Sequence, residues 1–358
     1  MSPFVPLTAV ARVTGEPIMI LILSHTTIEE TTEVVMDWLE YFGARCLRLN
    51  GADLDATSPF AVALDGERVE LQVGEPTLSL LREDIRAVWF RRWRQAARHE
   101  RVDLLRDPQT LDHAAQLHTK LVKHLDAELR KLSQFFFALW QDVPWVSHPR
   151  TVPTNKLHIL RQAAQAGLEI PTTLITSSKA PLQHFATQHG NVITKAIGDV
   201  GVFPLHGQPY MLYTSEVSAA DIEALPDQFF PSLFQEKLEK AYEVRVFYLD
   251  QECYSMALFS QLDRQTSVDF RRYNHDRPTR YVPYRLPAAV AESIRRLMHS
   301  VEMETGSLDL VRTTDGRHVF LEINPVGQFG MVSYPCNYFL ERKMAEFLLR
   351  KADHGHAA

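Results

Sequence analysis

The chain has 358 residues, 45% hydrophobic and 23% charged, which is enough for two or three globular domains with real cores. Its formal net charge of −6 argues against general nucleic-acid binding, since neutralising a phosphate backbone needs a basic surface. Three scattered cysteines (Cys46, Cys253, Cys336) make no metal-ligand pattern and fit a reducing cytoplasm, and no apolar run nears the roughly 18–20 residues that span a bilayer. A cytoplasmic protein with no membrane and no nucleic-acid partner is expected.

Residues 1–17 lack a charged segment ahead of an apolar core, so they do not read as a signal peptide and are expected to be an upstream start or a disordered extension. Met19 to Leu23 is a continuous apolar run, the pattern of a strand buried on both faces. A helix is predicted from Thr27 to Tyr41, stopped at Gly43, and a strand from Arg45 to Leu49, which makes a βαβ unit. Residues 52–80 read as a hairpin region with turns at Asp65-Gly66 and Gly74-Glu-Pro76, and Ala87 to Phe90 as a further strand. From Leu111 to Trp140 apolar residues recur at helical spacing (Leu117, Leu121, Leu125, Leu129, Leu132, Phe136, Leu139). Pro144 to Pro153 is the expected linker, so the N-terminal domain is set at residues 18–145.

Thr154 is positioned to cap a helix running to about Ala166, before Gly167. Pro171 to Ile175 and Asn191 to Ala196 read as strands with a helix between them, completing a central subdomain over 146–233. A C-terminal subdomain is set at 234–358. It holds two strand-like runs around Asp250-Gln251, a helix from Pro287 to Glu304, strands Ser307–Val311 and Val319–Ile323 around Asp315-Gly316, and a terminal helix from Asn337 to Arg350.

The last two strands carry the chemistry. Strand alternation puts Glu322 and Asn324 on one face, and Asp309 can meet them from the neighbouring strand. Two carboxylates and an amide oxygen are hard donors suited to magnesium, and charged groups among Leu308, Leu310, Phe320, Leu321 and Ile323 need a compensating partner. The competing reading is a sheet with one polar face in water. The Pro325-Val-Gly-Gln-Phe-Gly330 sequence that follows must turn sharply, which favours a ligand-side loop.

Upstream, Lys195 sits late in an apolar strand, ahead of Gly198-Asp-Val-Gly201, whose backbone N–H groups could approach phosphates. A lysine snorkelling from an edge strand is the alternative. Lys156, at a helix start, is uninformative alone. The Phe234-Gln235-Glu236-Lys237-Leu238 segment can seat an adenine on its backbone, with Glu236 or Glu239 taking ribose hydroxyls; an acidic–basic surface turn explains it equally well. Glu243 and Arg245 alternate on one strand face, so Arg245 can neutralise phosphate charge with Glu243 orienting it, against an equal case for a structural ion pair.

Taken in order, these residues resemble the ATP-grasp family: a lysine after the linker, a strand lysine before a glycine loop, an acidic hinge, Glu-x-Arg, then Asp and Glu-x-Asn. The resemblance implies an α/β and α+β multidomain chain, an ATP-grasp fold behind an N-terminal Rossmann-like pre-ATP-grasp domain. It implies ATP and magnesium, two ions, as cofactors. It places Lys156 and Lys195 near phosphates and Gln235, Glu236 and Leu238 at the adenine hinge. Glu239 and Glu243 stand beside the nucleotide, and Asp309, Glu322 and Asn324 at magnesium.

Trp89-Phe-Arg-Arg92, Gln265-Thr-Ser-Val-Asp-Phe-Arg271, Arg280-Tyr-Val-Pro-Tyr-Arg-Leu-Pro287 and Glu322-Ile-Asn-Pro-Val-Gly-Gln-Phe-Gly330 resemble the peptide-maturing branch, graspetide synthetases of the grasp-with-spasm type, related to microviridin-type ligases. That likeness implies an enzyme that macrocyclises a ribosomally made precursor peptide by joining Asp or Glu side chains to Ser, Thr or Lys. It also implies a homodimer. Asp269 and Arg271 are candidates for handling the precursor's carboxyl group or the acyl phosphate, with an ion-paired strand as their alternative. The eight arginines from Arg82 to Arg106, with Trp89 and Trp93 among them, read as a solvated or interdomain surface ahead of a leader-binding one. An amino-acid ligase of the glutamate-adding kind shares the same ATP machinery, and a non-catalytic peptide-binding relative is the reading from a different class.

Overall fold

Every side chain of strand β1 (Met19–Ser24) is buried, which requires cover on both faces of its sheet. Helix α1 (Glu30–Tyr41) follows, then β2 (Arg45–Asn50), a meander of β3 (Phe60–Asp65), β4 (Arg68–Val73) and β5 (Leu78–Leu81), β6 (Ile85–Phe90), helix α2 (Ala114–Leu139) and β7 (Trp145–Val146). The computed structural model describes residues 19–25, 29–54, 60–65, 68–73, 78–81, 84–93, 114–151, 155–198, 202–205, 208–211, 213–259 and 280–354. The chain divides into one unit of Met1–Pro149 with Leu340–Ala358 and another of Arg150–Phe339.

In the first unit β2, β1, β6 and β7 form a parallel sheet in that order. Two expectations change here. The predicted linker opens with a strand: Trp145 and Val146 pair with Val88 and Trp89, and the Pro144 carbonyl accepts from Val88 N at 2.9 Å, which satisfies the outer edge of β6. The terminal helix, Leu340–His354, groups with this unit and not with residues 234–339. Its apolar side (Leu340, Met344, Ala345, Leu348) is fully buried, and Arg342 lies over the rings of Trp38 on α1 and of Phe42 just after it. It begins at Leu340 because Asn337 and Phe339 take left-handed φ angles of 53°, which no helix continues through.

The second unit runs α3 (Lys156–Gln165), β8 (Thr173–Ser178), α4 (Lys179–His189), β9 (Val192–Lys195), β10 (Val202–Leu205), β11 (Gln208–Met211), β12 (Ser215–Val217), α5 (Ala219–Ala224) and β13 (Gln228–Glu236). It continues with β14 (Lys240–Leu249), β15 (Glu252–Leu258), β16 (Tyr281–Tyr284), α6 (Ala288–Ser300), β17 (Thr305–Thr313), β18 (His318–Asn324) and α7 (Gly330–Cys336). Helix α3 is capped by Asn155, not Thr154: its Oδ1 accepts from Leu157 N at 3.0 Å and His158 N at 3.1 Å, the capping role that a short polar side chain fills best.

Two antiparallel sheets organise this unit, one in the order β12-β9-β13-β8 and one in the order β16-β15-β14-β17-β18. Strands β14 and β15 are joined at Asp250-Gln251, whose φ angles of 48° and 69° match the primed turn that suits strand twist. Alternation divides the five-stranded sheet. Val244, Val246, Tyr248, Leu308 and Leu310 face the core with Leu160 of α3 and Ile294 and Leu297 of α6. Glu243, Arg245, Phe247, Ser307 and Asp309 are therefore on the opposite face. Among the described residues no helix is long and apolar enough to cross a membrane.

Candidate active site

Cross-strand register lays six residues of that opposite face in two adjacent rows over β14, β17 and β18. The first row is Arg245, Asp309 and Glu322, and the second is Phe247, Ser307 and Asn324. The alternation read from the sequence thus brings the two carboxylates and the amide together.

Arg245 and Asp309 form a two-pronged pair, Nε to Oδ1 at 2.7 Å and Nη2 to Oδ2 at 2.9 Å, the strongest geometry for these groups. Each Asp309 oxygen accepts one of these bonds and keeps a further lone pair for a metal. Glu322 is 38% exposed, with the ammonium of Lys156 at 3.9 Å, longer than a hydrogen bond. Lys156 also donates to the Gly198 carbonyl at 3.3 Å, which ties the start of α3 to the first residue of the glycine loop. Asn324 is exposed, and its Oδ1 accepts from Val326 N at 3.2 Å in the turn the sequence predicts after Asn-Pro. No group of three or more His, Cys, Asp or Glu is gathered among the described residues. Two carboxylates and an amide still suit magnesium, which keeps positions for water and phosphate oxygens.

A cavity of about 180 Å³ opens nearby, lined by Lys195 and Ile193 of β9, Gln235 and Glu236 of β13, Lys237, Leu238 and Lys240 of the hinge, and Val311 and Leu321 of the second sheet. Small-ligand pockets run about 300–1,000 Å³, so this cavity has room for only part of a ligand, on the scale of a flat base. Gln235 is 1% exposed and anchored by donating to Thr173 Oγ1 at 2.9 Å. The Glu236 carboxylate accepts from Thr172 N at 2.7 Å, so its side chain holds the hinge in place. Glu239 is turned away from the lining residues, toward Thr314, whose N–H donates to the Glu239 carbonyl at 3.0 Å.

Glu243 differs from its expected task. It is buried and accepts from Lys240 Nζ at 2.8 Å, while Asp309 is the carboxylate that orients Arg245. Lys240 is a lining residue that the sequence did not expose. Positions i and i+3 of a regular strand face opposite ways, and only the register shift between Lys240 and Tyr242 brings Lys240 round to Glu243. Asp269 and Arg271 lie outside the described residues, as do Asp199 to Gly201 and most of the arginine cluster.

Residues 19–152 match the family model described as the MvdD pre-ATP grasp domain. No curated protein matches the chain by sequence. Among solved structures, the chain is similar to a Chryseobacterium gregarium RiPP-associated ATP-grasp ligase in complex with ADP and a leader and core peptide (TM-score 0.78, 21% identity, 93% of this chain and 97% of that one). It is also similar to the macrocyclase MdnC from Microcystis aeruginosa MRC bound with precursor peptide MdnA (TM-score 0.75, 24% identity, 93% and 100% covered). A third is the ATP-grasp ligase PsnB complexed with minimal precursor, Mg and ADP (TM-score 0.70, 17% identity, 96% and 100% covered). The chain therefore has the ATP-grasp fold, with residues 19–152 similar to the MvdD pre-ATP grasp domain.

Proposed function

We propose that the chain is an ATP-dependent ligase that installs side-chain ester or amide crosslinks in a ribosomally made precursor peptide. The observation that carries this reading is the row Arg245, Asp309 and Glu322, with Asn324 and Lys156 at its edge, in one unit with a base-sized cavity lined by Lys195 and the hinge. The solved structures of the same fold, bound to ADP and to leader, core or precursor peptides, support the choice of substrate.

In this reading a peptide carboxylate oxygen attacks the terminal phosphorus of ATP, and ADP leaves. A Ser or Thr hydroxyl, or a Lys amine, then attacks the acyl phosphate; phosphate leaves and the peptide has lost one water. Asp309, Glu322 and Asn324 would hold magnesium, two ions on the family pattern, which neutralises phosphate charge when bound. Lys156 and Lys195 hold the phosphates. Arg245, fixed by both oxygens of Asp309, meets the charge that builds on the transferred phosphoryl without reorganising at that moment. Gln235 and Leu238 seat the base and Glu236 braces the hinge. Asp269 and Arg271 are assigned to the peptide's carboxyl group, and the enzyme is assigned to the cytoplasm as a homodimer.

Purified protein incubated with ATP, magnesium and a candidate precursor peptide should yield successive mass losses of one water per ring. ATP hydrolysis with no change in peptide mass, for a precursor that binds the protein, would overturn the reading.

A further inference from the structure

The ligand face of the five-stranded sheet is only partly open, because the chain doubles back over it. After Asn324 the backbone turns, with Gly327 N donating to the Asn324 carbonyl at 3.1 Å and Val326 N to its side chain at 3.2 Å. The next residues run over the sheet: Gly327 seats on Ser307, the Phe329 ring lies 4.4 Å from that of Phe247, and Met331 Sδ accepts from Arg245 Nη1 at 2.9 Å. The strap thus covers Phe247 and Ser307 of the second row, starts at its third member, Asn324, and ends against the first member of the reactive row.

Gly327 is the tightest point of this contact. Its φ is not left-handed, so conformational freedom is not what the position demands. A Cβ there would overlap Oγ and Cβ of Ser307 and would stand 3.1 Å from its backbone N. Ser307 is 2% exposed, and among the described residues its Oγ has no hydrogen-bond partner. A buried hydroxyl without a partner is costly, and here it sits directly under the glycine.

We propose that Gly327 and Ser307 are positioning residues that set the height of the strap above the sheet, and so hold the Asn324 side chain at the level of the Asp309 and Glu322 carboxylates. This rests on the assignment of magnesium to those three residues. Lifting the strap at Gly327 displaces Asn324, three residues away in the same turn, while the cavity at the hinge is lined by none of the strap residues. Magnesium affinity is therefore the property at risk, and magnesium-free nucleotide affinity is not.

The test uses calorimetric titration of magnesium into the full chain saturated with ADP, next to ADP binding without metal. Gly327→Ala should weaken magnesium binding by about 10–100-fold, the range for groups that hold metal ligands in place, with metal-free ADP affinity unchanged. Adding Ser307→Gly removes the overlapping atoms and should restore magnesium affinity, whereas adding Ser307→Ala leaves Cβ in the way and should not. Ser307→Thr crowds the same contact from the strand side and should reproduce the defect, which keeps the test available if Gly327→Ala does not fold. Wild-type magnesium affinity in Gly327→Ala, or equal defects in the Gly and Ala double variants, would overturn the proposal. Glu322→Gln separates the two levels. Undiminished magnesium binding in that variant overturns the metal assignment itself; diminished binding there with a neutral Gly327→Ala overturns only the role of the strap.

Discussion

Each unit sets a carboxylate against an arginine, and the two pairs are completed in opposite ways. In the N-terminal unit Glu29 is fully buried at the end of the parallel sheet, where it accepts from Ser24 Oγ at 2.8 Å and Arg91 Nη2 at 3.1 Å, with Arg92 at 3.8 Å. Burial pushes its carboxyl up, but Arg91, hydrogen bonds from Ser24 and Thr32, and Arg92 outweigh that and hold it below its ordinary value. Burial likewise pushes Arg91 down to about 10, against the raising effect of Glu29. Thr32 Oγ1 accepts from Arg91 Nε at 3.1 Å, so this network is closed by the protein's own groups. In the other unit Asp309 and Arg245 are 20% and 16% exposed, and the Glu322 beside them meets its nearest cation only at 3.9 Å. Both oxygens of Glu29 are held by the protein, whereas on the proposed reading the spare acceptor capacity of Asp309 and Glu322 is what magnesium would take up. The Trp89-Phe-Arg-Arg92 sequence, at its described positions, is thus first of all a structural feature, the anchor of the β1 and β6 ends.

The largest effect is expected at Arg91. Arg91→Met strands Glu29 as a buried charge and should cost about 3–5 kcal/mol, read as a fall in the denaturation midpoint of the N-terminal unit. A loss below about 1 kcal/mol would mean that the network is not closed in the way described. Next in size, Glu322→Gln should slow ring formation at least about 100-fold, some 2.7 kcal/mol of barrier, and leave the unfolding midpoint where it was. Loss of stability in place of activity would turn the half-exposed site into a second structural pair.

A smaller effect is expected at Glu29 as the pH falls. A group whose folded value is depressed contributes stability above its unfolded value and loses it as pH falls through the folded one. Glu29 should therefore stabilise the N-terminal unit above its ordinary 4.5 and withdraw that contribution as the pH drops below it. The stability of Glu29→Gln, measured from pH 6 down, should fall less steeply with acid than that of the wild type; parallel curves would count against the depressed value. The smallest change is expected at Glu239, whose side chain reaches Thr314 and not the cavity. Glu239→Gln should alter the KM for ATP by less than about fivefold, the scale of an exposed polar contact. A larger rise would return it to the ribose.

Much of this architecture was legible because it is local. A continuous apolar run announced β1, helical spacing announced α2, and alternation put Glu322 with Asn324 and Glu243 with Arg245 before any fold was known. The short strands β10, β11 and β16 were not legible because Pro204, Pro209 and Pro283 interrupt them, and β12 has only three residues, too few to show a period. Nor was α7, which starts at Gly330 and contains Pro335, both poor helix signals.

What the residue order determined by itself is which side chains share a face and where the chain must turn, because backbone geometry repeats every two or 3.6 residues regardless of context. What only tertiary structure decided is who completes whom. Arg245 took Asp309, 64 positions away, over Glu243, two positions away on its own strand. A register shift turned Lys240 into the partner of Glu243, the terminal helix returned to the first unit, and the Pro325–Met331 strap came to rest on Ser307. Each of these is settled by satisfying a buried or half-buried group with whatever the fold brings within reach, and reach in space has no fixed period along the chain.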